Sequence, residues 1–439
     1  MLNESLKNIF SRLNKEGVNY VVLRNYLPVE NLNSEKDIDI LVHPVDGKRI
    51  KKILLANGWL PRILPRRDGH IEMFKLGKEK KIYVLDIQDD LLFGKEKIKI
   101  GEVEAVLNKR KLVDECFFVP NDIHSLVLFI FRLVLEKDII NSSQFAYLEA
   151  LYDLSKNNKD FLETIKEDFG QTVFESLREM LENKKNFLDS QNYKKLGRLA
   201  RGSFVRREKG FLADYWQKIK NKIVSYSFLF RKVQLIIFVG SDGSGKSTLV
   251  EKLKCFSPVF SNSIYLGWRG YYFKPMAKLE EKSVSKNKVI REMKNRLKFI
   301  LFNALFPFDL FFRFLKIKKN AKFGIIIADR YPLPKKYFGK TKIIPVQKIC
   351  SKINLWLTYL LIPRPSLCFI AEADPKIIWA RKEERSFNKL LDEIERSRQA
   401  EKLFKCPVKI VRTDCSIEES FNKIYEHLFE YFNNYVERF

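Results

Sequence analysis

Nothing in this chain supports a disulfide scaffold or a zinc-binding cluster. Its 439 residues hold six cysteines (Cys116, Cys255, Cys350, Cys368, Cys406 and Cys415) and four histidines. The cysteines are scattered, with no C-x-x-C pair and no His/Cys cluster at zinc-ligand spacing. A reducing, cytoplasmic setting is therefore expected. The chain also lacks a long uninterrupted apolar run. Its most apolar stretch, Phe299 to Leu315, is broken by Asn303, Pro307, Asp309 and Arg313, which argues against a membrane span. The opening Met1-Leu-Asn-Glu-Ser-Leu-Lys is amphipathic and is not a signal peptide. No internal repeat and no low-complexity tract appears.

What is present is charge of one sign. The formal net charge is +27, with hydrophobic residues at 46% and charged residues at 31%, so the chain is globular and not disordered. From Asn192 to Lys232 there are 12 Lys/Arg against 2 Asp/Glu, and from Lys274 to Lys322 there are 14 against 4. These two segments are either solvated helix faces or the contact surface for an acidic partner: a phosphorylated substrate, nucleic acid or an anionic membrane. Within Phe299 to Leu315 and just before it, Ile290, Met293, Leu297, Ile300, Ala304, Phe308, Phe311 and Leu315 recur at helical spacing, which predicts that this set forms a buried helix face.

Three regions follow from hydrophobic periodicity. Residues 1–125 alternate strands and helices, with strands at Tyr20–Leu23, Ile38–Val42 and Ile82–Ile87. Residues 126–232 read as a mainly helical, basic connector. Residues 233–439 return to strand–helix alternation, which predicts a parallel sheet with strands at Val233–Val239, Gly324–Ala328, Leu367–Ala371 and Val408–Val411. The expected fold class is thus α/β, with an N-terminal α+β domain, a helical connector and a C-terminal parallel sheet.

Gly240-Ser241-Asp242-Gly243-Ser244-Gly245-Lys246-Ser247, followed by Thr248, fits G-x-x-x-x-G-K-[ST]. An apolar strand precedes it and Thr248-Leu-Val-Glu-Lys-Leu starts a helix after it, the context that a P-loop requires. The glycines let backbone N–H groups wrap a phosphate, and the helix N-terminus adds partial positive charge. Lys246 would reach the β- and γ-phosphates of ATP, and the Ser247 hydroxyl would hold Mg²⁺. Farther on, Gly324-Ile-Ile-Ile-Ala-Asp-Arg-Tyr331 brings Asp329 to a strand's C-terminal end, where open α/β sheets bind ligands. Asp329 would join the Mg²⁺ shell and Arg330 would grip a phosphate. Arg381 and Arg385, at i and i+4, share a helix face and would close over a transferring phosphoryl group; on spacing alone, a surface pair bridging to Glu383 and Glu384 fits equally well.

Together these stretches, with the Pro365 to Asp374 strand and Thr413-Asp-Cys-Ser-Ile-Glu-Glu-Ser420, resemble the thymidylate kinase-like family of P-loop kinases over about 205 residues, in family order. The resemblance implies a Mg-ATP phosphotransferase with a parallel-sheet core and a small-molecule phosphate acceptor. It also implies that Asp242 faces that acceptor and that the 413–420 segment lies near the adenine. Gly267-Trp-Arg-Gly270 and Pro332-Leu-Pro-Lys-Lys depart from the family pattern on the acceptor side, which leaves the acceptor open.

In the N-terminal region, Asp37 and Asp39 lie two apart on a strand, so both are expected to project from one face. Asp86 ends the strand Tyr83-Val-Leu-Asp86. Three carboxylates converging at a sheet edge can hold two Mg²⁺ ions for an in-line displacement at phosphorus. The Asp-x-Asp with its following Ile-Leu-Val resembles the DNA polymerase β type of nucleotidyltransferase over about 120 residues, implying a second NTP site. His70 would orient substrate or stand as a surface residue. Three readings stay open: a kinase fused to a nucleotidyltransferase, a kinase with a ligand-binding N-terminal domain, and an ATP-gated protein that binds nucleic acid or a membrane surface. The lack of RNA-binding aromatic motifs weighs against nucleic acid. Oligomeric state is not legible.

Overall fold

In the computed structural model the chain divides into two units, Met1–Val224 with Val436–Phe439, and Ser225–Tyr435. The structure describes residues 2–24, 37–63, 70–94, 98–99, 101–136, 142–155, 161–169, 171, 175, 229, 231–267, 270–280, 288–333, 345–381 and 386–436. Most of the basic Asn192–Lys232 segment lies outside the described residues, as do Trp268, Arg269, Pro334, Lys335, Lys336, Glu383, Glu384 and Arg385.

In the first unit the elements run α1 (Glu4–Lys15), β1 (Tyr20–Val22), β2 (Ile38–Val42), α2 (Gly47–Ala56), β3 (Leu60–Pro61), β4 (Ile71–Gly77) and β5 (Lys81–Gln88). They continue with β6 (Leu92–Phe93), β7 (Ile98–Lys99), α3 (Val103–Asn108), β8 (Lys111–Val113), β9 (Phe117–Val119), α4 (Asp122–Glu136), α5 (Ser142–Ser155) and α6 (Phe161–Phe169). Five strands form one mixed sheet in the order β1-β2-β5-β4-β3, in which only the β2–β5 pair is parallel.

Period-two alternation splits this sheet's side chains between two cores. Tyr20, Val22, Ile38, Ile40 and Val42 pack with Leu6, Ile9 and Phe10 of α1 and Ile50 and Leu54 of α2. Val21 and Leu41 point the other way and pack with Leu126, Val127 and Ile130 of α4, Leu151 of α5 and Ile165 of α6. The helices expected to form a separate connector therefore share the sheet's core as far as they are described. The reason is that α4, Asp-Ile-His-Ser-Leu-Val-Leu-Phe-Ile-Phe-Arg-Leu-Val-Leu-Glu, is apolar nearly all round and has to be covered on several sides.

The second unit runs β10 (Gln234–Val239), α7 (Lys246–Phe256), β11 (Ser263–Tyr265), α8 (Pro275–Glu280), α9 (Lys288–Lys318), β12 (Ile325–Asp329) and α10 (Pro345–Leu361). Then come β13 (Leu367–Glu372), α11 (Pro375–Arg381), α12 (Phe387–Arg398), α13 (Ala400–Leu403), β14 (Val408–Arg412) and α14 (Ile417–Val436). Its five strands are all parallel, in the order β11-β12-β10-β13-β14. The expected strands β10, β12 and β13 are nearly unbroken apolar runs buried on both faces, as interior strands of a parallel sheet must be. The fourth, β14, is found at the sheet's edge, where Lys409, Ile410 and Arg412 leave it partly exposed. The short β11 was not anticipated.

Helix α9 corrects one expectation. Of the set predicted to be buried, Ile290, Met293, Leu297, Ile300 and Phe308 are exposed, as are Leu301, Leu305 and Phe312. The core instead takes Phe302, Phe306, Leu310 and Phe314, four residues apart. Both faces are apolar, so periodicity alone could not choose between them. A pair of charges one helical turn apart, closed over by a distant backbone N–H, decides. Asp309, fully buried, accepts from Arg313 Nε at 2.7 Å and from the Phe273 backbone N–H at 2.8 Å, so the face carrying this pair is held inward.

Pro307 inside α9 explains how α10 is seated. A helical proline offers no N–H to the carbonyl four residues earlier, here that of Asn303. That carbonyl accepts the Asn354 side-chain amide of α10 at 2.8 Å instead, and Asn354 is buried.

Candidate functional site

The central strand β10 lies between β12 and β13; the connection from β10 runs to β11 on one side of it, and the connection from β12 crosses to β13 on the other. Such a switch point opens a crevice at the strands' carboxyl ends. The glycine-rich loop lies there, between the end of β10 and the start of α7.

The loop backbone requires its glycines. Gly240 has φ 151°, and a Cβ on it would fall 2.6 Å from the Ala371 carbonyl oxygen and 2.7 Å from Ser244 Oγ. Gly245, the residue preceding α7, has φ 80°. Lys246 is 4% exposed. Its amine donates to the Ser241 carbonyl and to Ser244 Oγ. Burial first, then the nearby Arg330 guanidinium, lower its pKa to about 8. Gly243 (φ 90°) and Ser244, which is fully buried, complete the turn, and Thr248 lies in the first turn of α7. One loop N–H meets the chain's own anion: that of Asp242 donates to Glu393 Oε2 of α12 at 3.5 Å.

Asp329 ends β12, and its Oδ2 accepts the Ser247 hydroxyl at 2.7 Å. Its other oxygen, Oδ1, is buried and has no hydrogen-bond partner, and neither has the buried hydroxyl of Ser241. A buried carboxylate oxygen left without a partner is costly unless another group satisfies it. A hydroxyl next to a carboxylate is a hard-oxygen donor pair of the kind that suits Mg²⁺. Ser247 and Asp329 therefore fit that ion.

Arg330 follows at φ 74°, in the left-handed region, at a conformational cost of about 1–2 kcal/mol for a residue with a Cβ. Strained residues of this kind gather at functional sites. The strain directs its guanidinium onto the Asp242 carboxylate and over the Tyr265 ring, 5.7 Å from the centroid. Asp242 and Arg330 thus form an ion pair beside Lys246.

Arg381, the last residue of α11, donates to the Thr413 carbonyl at 3.0 Å. Thr413 in turn is the residue that a Cβ on Gly245 would approach, at 3.8 Å, so the 413–420 segment borders the loop. Arg385 lies outside the described residues, so the expected arginine pair is represented by Arg381 alone. Sequence reasoning missed Glu393 and the buried Glu372, whose carboxylate takes the Arg398 guanidinium and whose carbonyl accepts from Thr413. Nothing in their spacing marks them.

The first unit holds a second polar site. Asp39 of β2 is directly paired with Asp86 of β5 in the parallel register. Asp39 shares its face with Leu41, beneath α4, in a cavity of about 100 Å³ lined by Arg24, His70, Asp86, Phe129 and Arg132. Burial raises the Asp39 pKa to about 6; Arg24 opposes this, and Asp86 and Asp37 add to it. The Arg24 guanidinium grips both Asp39 oxygens, through Nε and through Nη2 at 2.6 Å. His70 Nδ1 lies 3.2 Å from Asp86 Oδ1.

The expected three-carboxylate metal cluster is not gathered. Asp37 precedes β2 and is exposed, and among the described residues no three His, Cys, Asp or Glu side chains come together to hold a metal ion. An arginine occupies the bidentate edge of Asp39 where an ion would sit. Nothing in the sequence marks Arg24 or Arg132, a lone cation in an apolar helix, as companions of these carboxylates.

Set beside protein-family models and curated proteins, the chain matches none of them. Among the described residues no helix is long and apolar enough to cross a membrane.

Proposed function

We propose that the second unit is an ATP-dependent phosphotransferase of the P-loop type, resembling thymidylate kinase-like enzymes, and that it phosphorylates a small-molecule acceptor. The observation that carries this reading is the glycine-bound loop at the sheet's switch point, with Lys246 buried inside it and the Ser247 hydroxyl on a half-satisfied Asp329. In it the loop N–H groups and α7 N-terminus would bind the ATP phosphates, Glu393 yielding its place to them. Lys246 would turn from the Ser241 carbonyl to a phosphate oxygen. Ser247 and Asp329 would hold Mg²⁺, which supplies charge neutralisation on the phosphate oxygens. Asp242, held by Arg330, is then the carboxylate that would face the acceptor hydroxyl or phosphate, and Arg381 would exchange the Thr413 carbonyl for the transferring group.

The decisive experiment is a screen of nucleosides, nucleoside monophosphates and sugar phosphates with Mg-ATP, run on the parent and on Lys246→Ala. Transfer to one acceptor class that disappears in the variant supports the reading. Unchanged turnover in the variant defeats it.

For the first unit, the site geometry supports one reading over the other. The Arg24 grip on Asp39 and the exposure of Asp37 favour a ligand-binding domain over a metal-dependent nucleotidyltransferase. The pocket's guanidinium and imidazole groups suit a ligand that carries both a hydrogen-bond donor and an acid group. Release of pyrophosphate from an NTP by the parent, absent in Asp39→Asn and Asp86→Asn, would restore the nucleotidyltransferase reading.

A further inference from the structure

Helix α9 has 31 residues, and its inward face is fully used by Phe302, Phe306, Leu310 and Phe314. Its opposite face is also apolar. Met293, Leu297, Leu301, Leu305 and Phe308 follow one another at three- and four-residue steps and are all exposed, Met293 at 69%. The neighbouring helix α10 repeats the pattern with Ile349, Ile353, Trp356 and Leu360, a single stripe, with Trp356 exposed at 63%. Singly exposed apolar residues are ordinary, but runs of them along two packed helices mark a surface that meets something apolar.

The charges beside the stripe indicate what that is. Arg291, Lys294 and Arg296 are exposed along the first turns of α9, and Lys316 and Lys319 are exposed at its end; Lys352 lies within the α10 stripe. Glu292 is the one exposed acidic residue among the described residues of α9, because Asp309 is buried against Arg313. Two copies joined through this face by a twofold axis would bring the same cations together, which disfavours self-association. Cations flanking Leu, Met and Phe with a tryptophan at the surface match the boundary between acyl chains and anionic headgroups.

We propose that α9 and α10 dock this unit onto an anionic lipid bilayer, lying in the interface plane without crossing it. The apolar stripes enter the acyl boundary, and Arg291, Lys294 and Arg296 meet the headgroup phosphates. This inference is independent of the phosphotransferase reading, which assigns no role to any of these residues.

The test is co-sedimentation of the full chain with vesicles of phosphatidylcholine alone and of phosphatidylcholine mixed with phosphatidylglycerol. The parent is expected to sediment with the mixed vesicles, and less so as salt rises. Leu297→Glu and Trp356→Glu should each lower the partition about tenfold, while keeping the parent circular dichroism spectrum and ATP binding. Arg291→Glu combined with Lys294→Glu should remove the salt-sensitive part. Equal sedimentation of parent and variants, or no sedimentation with either vesicle, overturns the proposal. So does a lipid-free dimer in analytical ultracentrifugation that Trp356→Glu dissociates, which would assign the face to a second copy.

Discussion

Replacing Lys246 by methionine should make the second unit more stable while removing the proposed ATP binding. The amine is 4% exposed and its pKa falls from an ordinary 10.5 to about 8, with burial the main cause. At neutral pH the folded state therefore carries a cation that it would rather release, at a cost of about 3 kcal/mol at 1.36 kcal/mol per pKa unit. Methionine keeps much of the aliphatic stem and loses the bond to the Ser241 carbonyl, which offsets about 1 kcal/mol. The net expectation is a gain of about 2 kcal/mol at pH 7, or about 4–8 °C in the unfolding midpoint of a unit of this size.

The pH dependence gives an independent check. Below about pH 8 the lysine is protonated in both the folded and the unfolded states, and the cost is constant. Between about 8 and 10.5 the unfolded chain holds a proton that the folded chain has released, so the parent's stability rises with pH across that window. The methionine variant lacks this rise. Urea unfolding followed from pH 7 to 10.5, with calorimetric ATP titration at pH 7, measures both effects. A variant less stable than the parent at pH 7, or one whose stability rises in parallel with it, refutes the buried-cation account of the loop.

Further outcomes follow from the same geometry. Asp329→Asn should cut kcat by about 100- to 1000-fold and raise the Mg²⁺ concentration needed for half-maximal rate, as seen in steady-state assays across a Mg²⁺ series. Arg381→Ala should lower kcat over the same range with little change in the KM for ATP; parent-like kinetics would leave Arg381 as a strut to the Thr413 carbonyl. Asp309→Ala should cost about 3–5 kcal/mol in urea unfolding, because it strands the buried Arg313 guanidinium. Asp39 carries a raised pKa near 6, so its stabilising share is full below about pH 4 and is lost as pH rises through 6; chemical denaturation of Asp39→Asn should show that loss removed.

The sequence by itself determined the parallel sheet and the loop. A strand buried on both faces has to be an unbroken apolar run, and a backbone at φ 151° and 80° with Ala371 and Ser244 in the way has to be glycine at 240 and tolerates little else at 245. Those constraints are local, so they are written residue by residue. The sequence also marked Asp39 and Asp86, whose place on apolar strands needs a reason.

Tertiary structure alone decided the rest. Which of two apolar faces of α9 turns inward depends on Asp309 finding Arg313 and the Phe273 N–H, and on Pro307 freeing the Asn303 carbonyl for Asn354. Whether Asp39 holds a metal depends on Arg24, fifteen residues upstream, reaching it first. Asp309 and Arg313 are only four residues apart, but Phe273 and Asn354 reach α9 from distant parts of the chain, and the energy of every such pairing depends on burial and distance, quantities that exist only once the chain has folded.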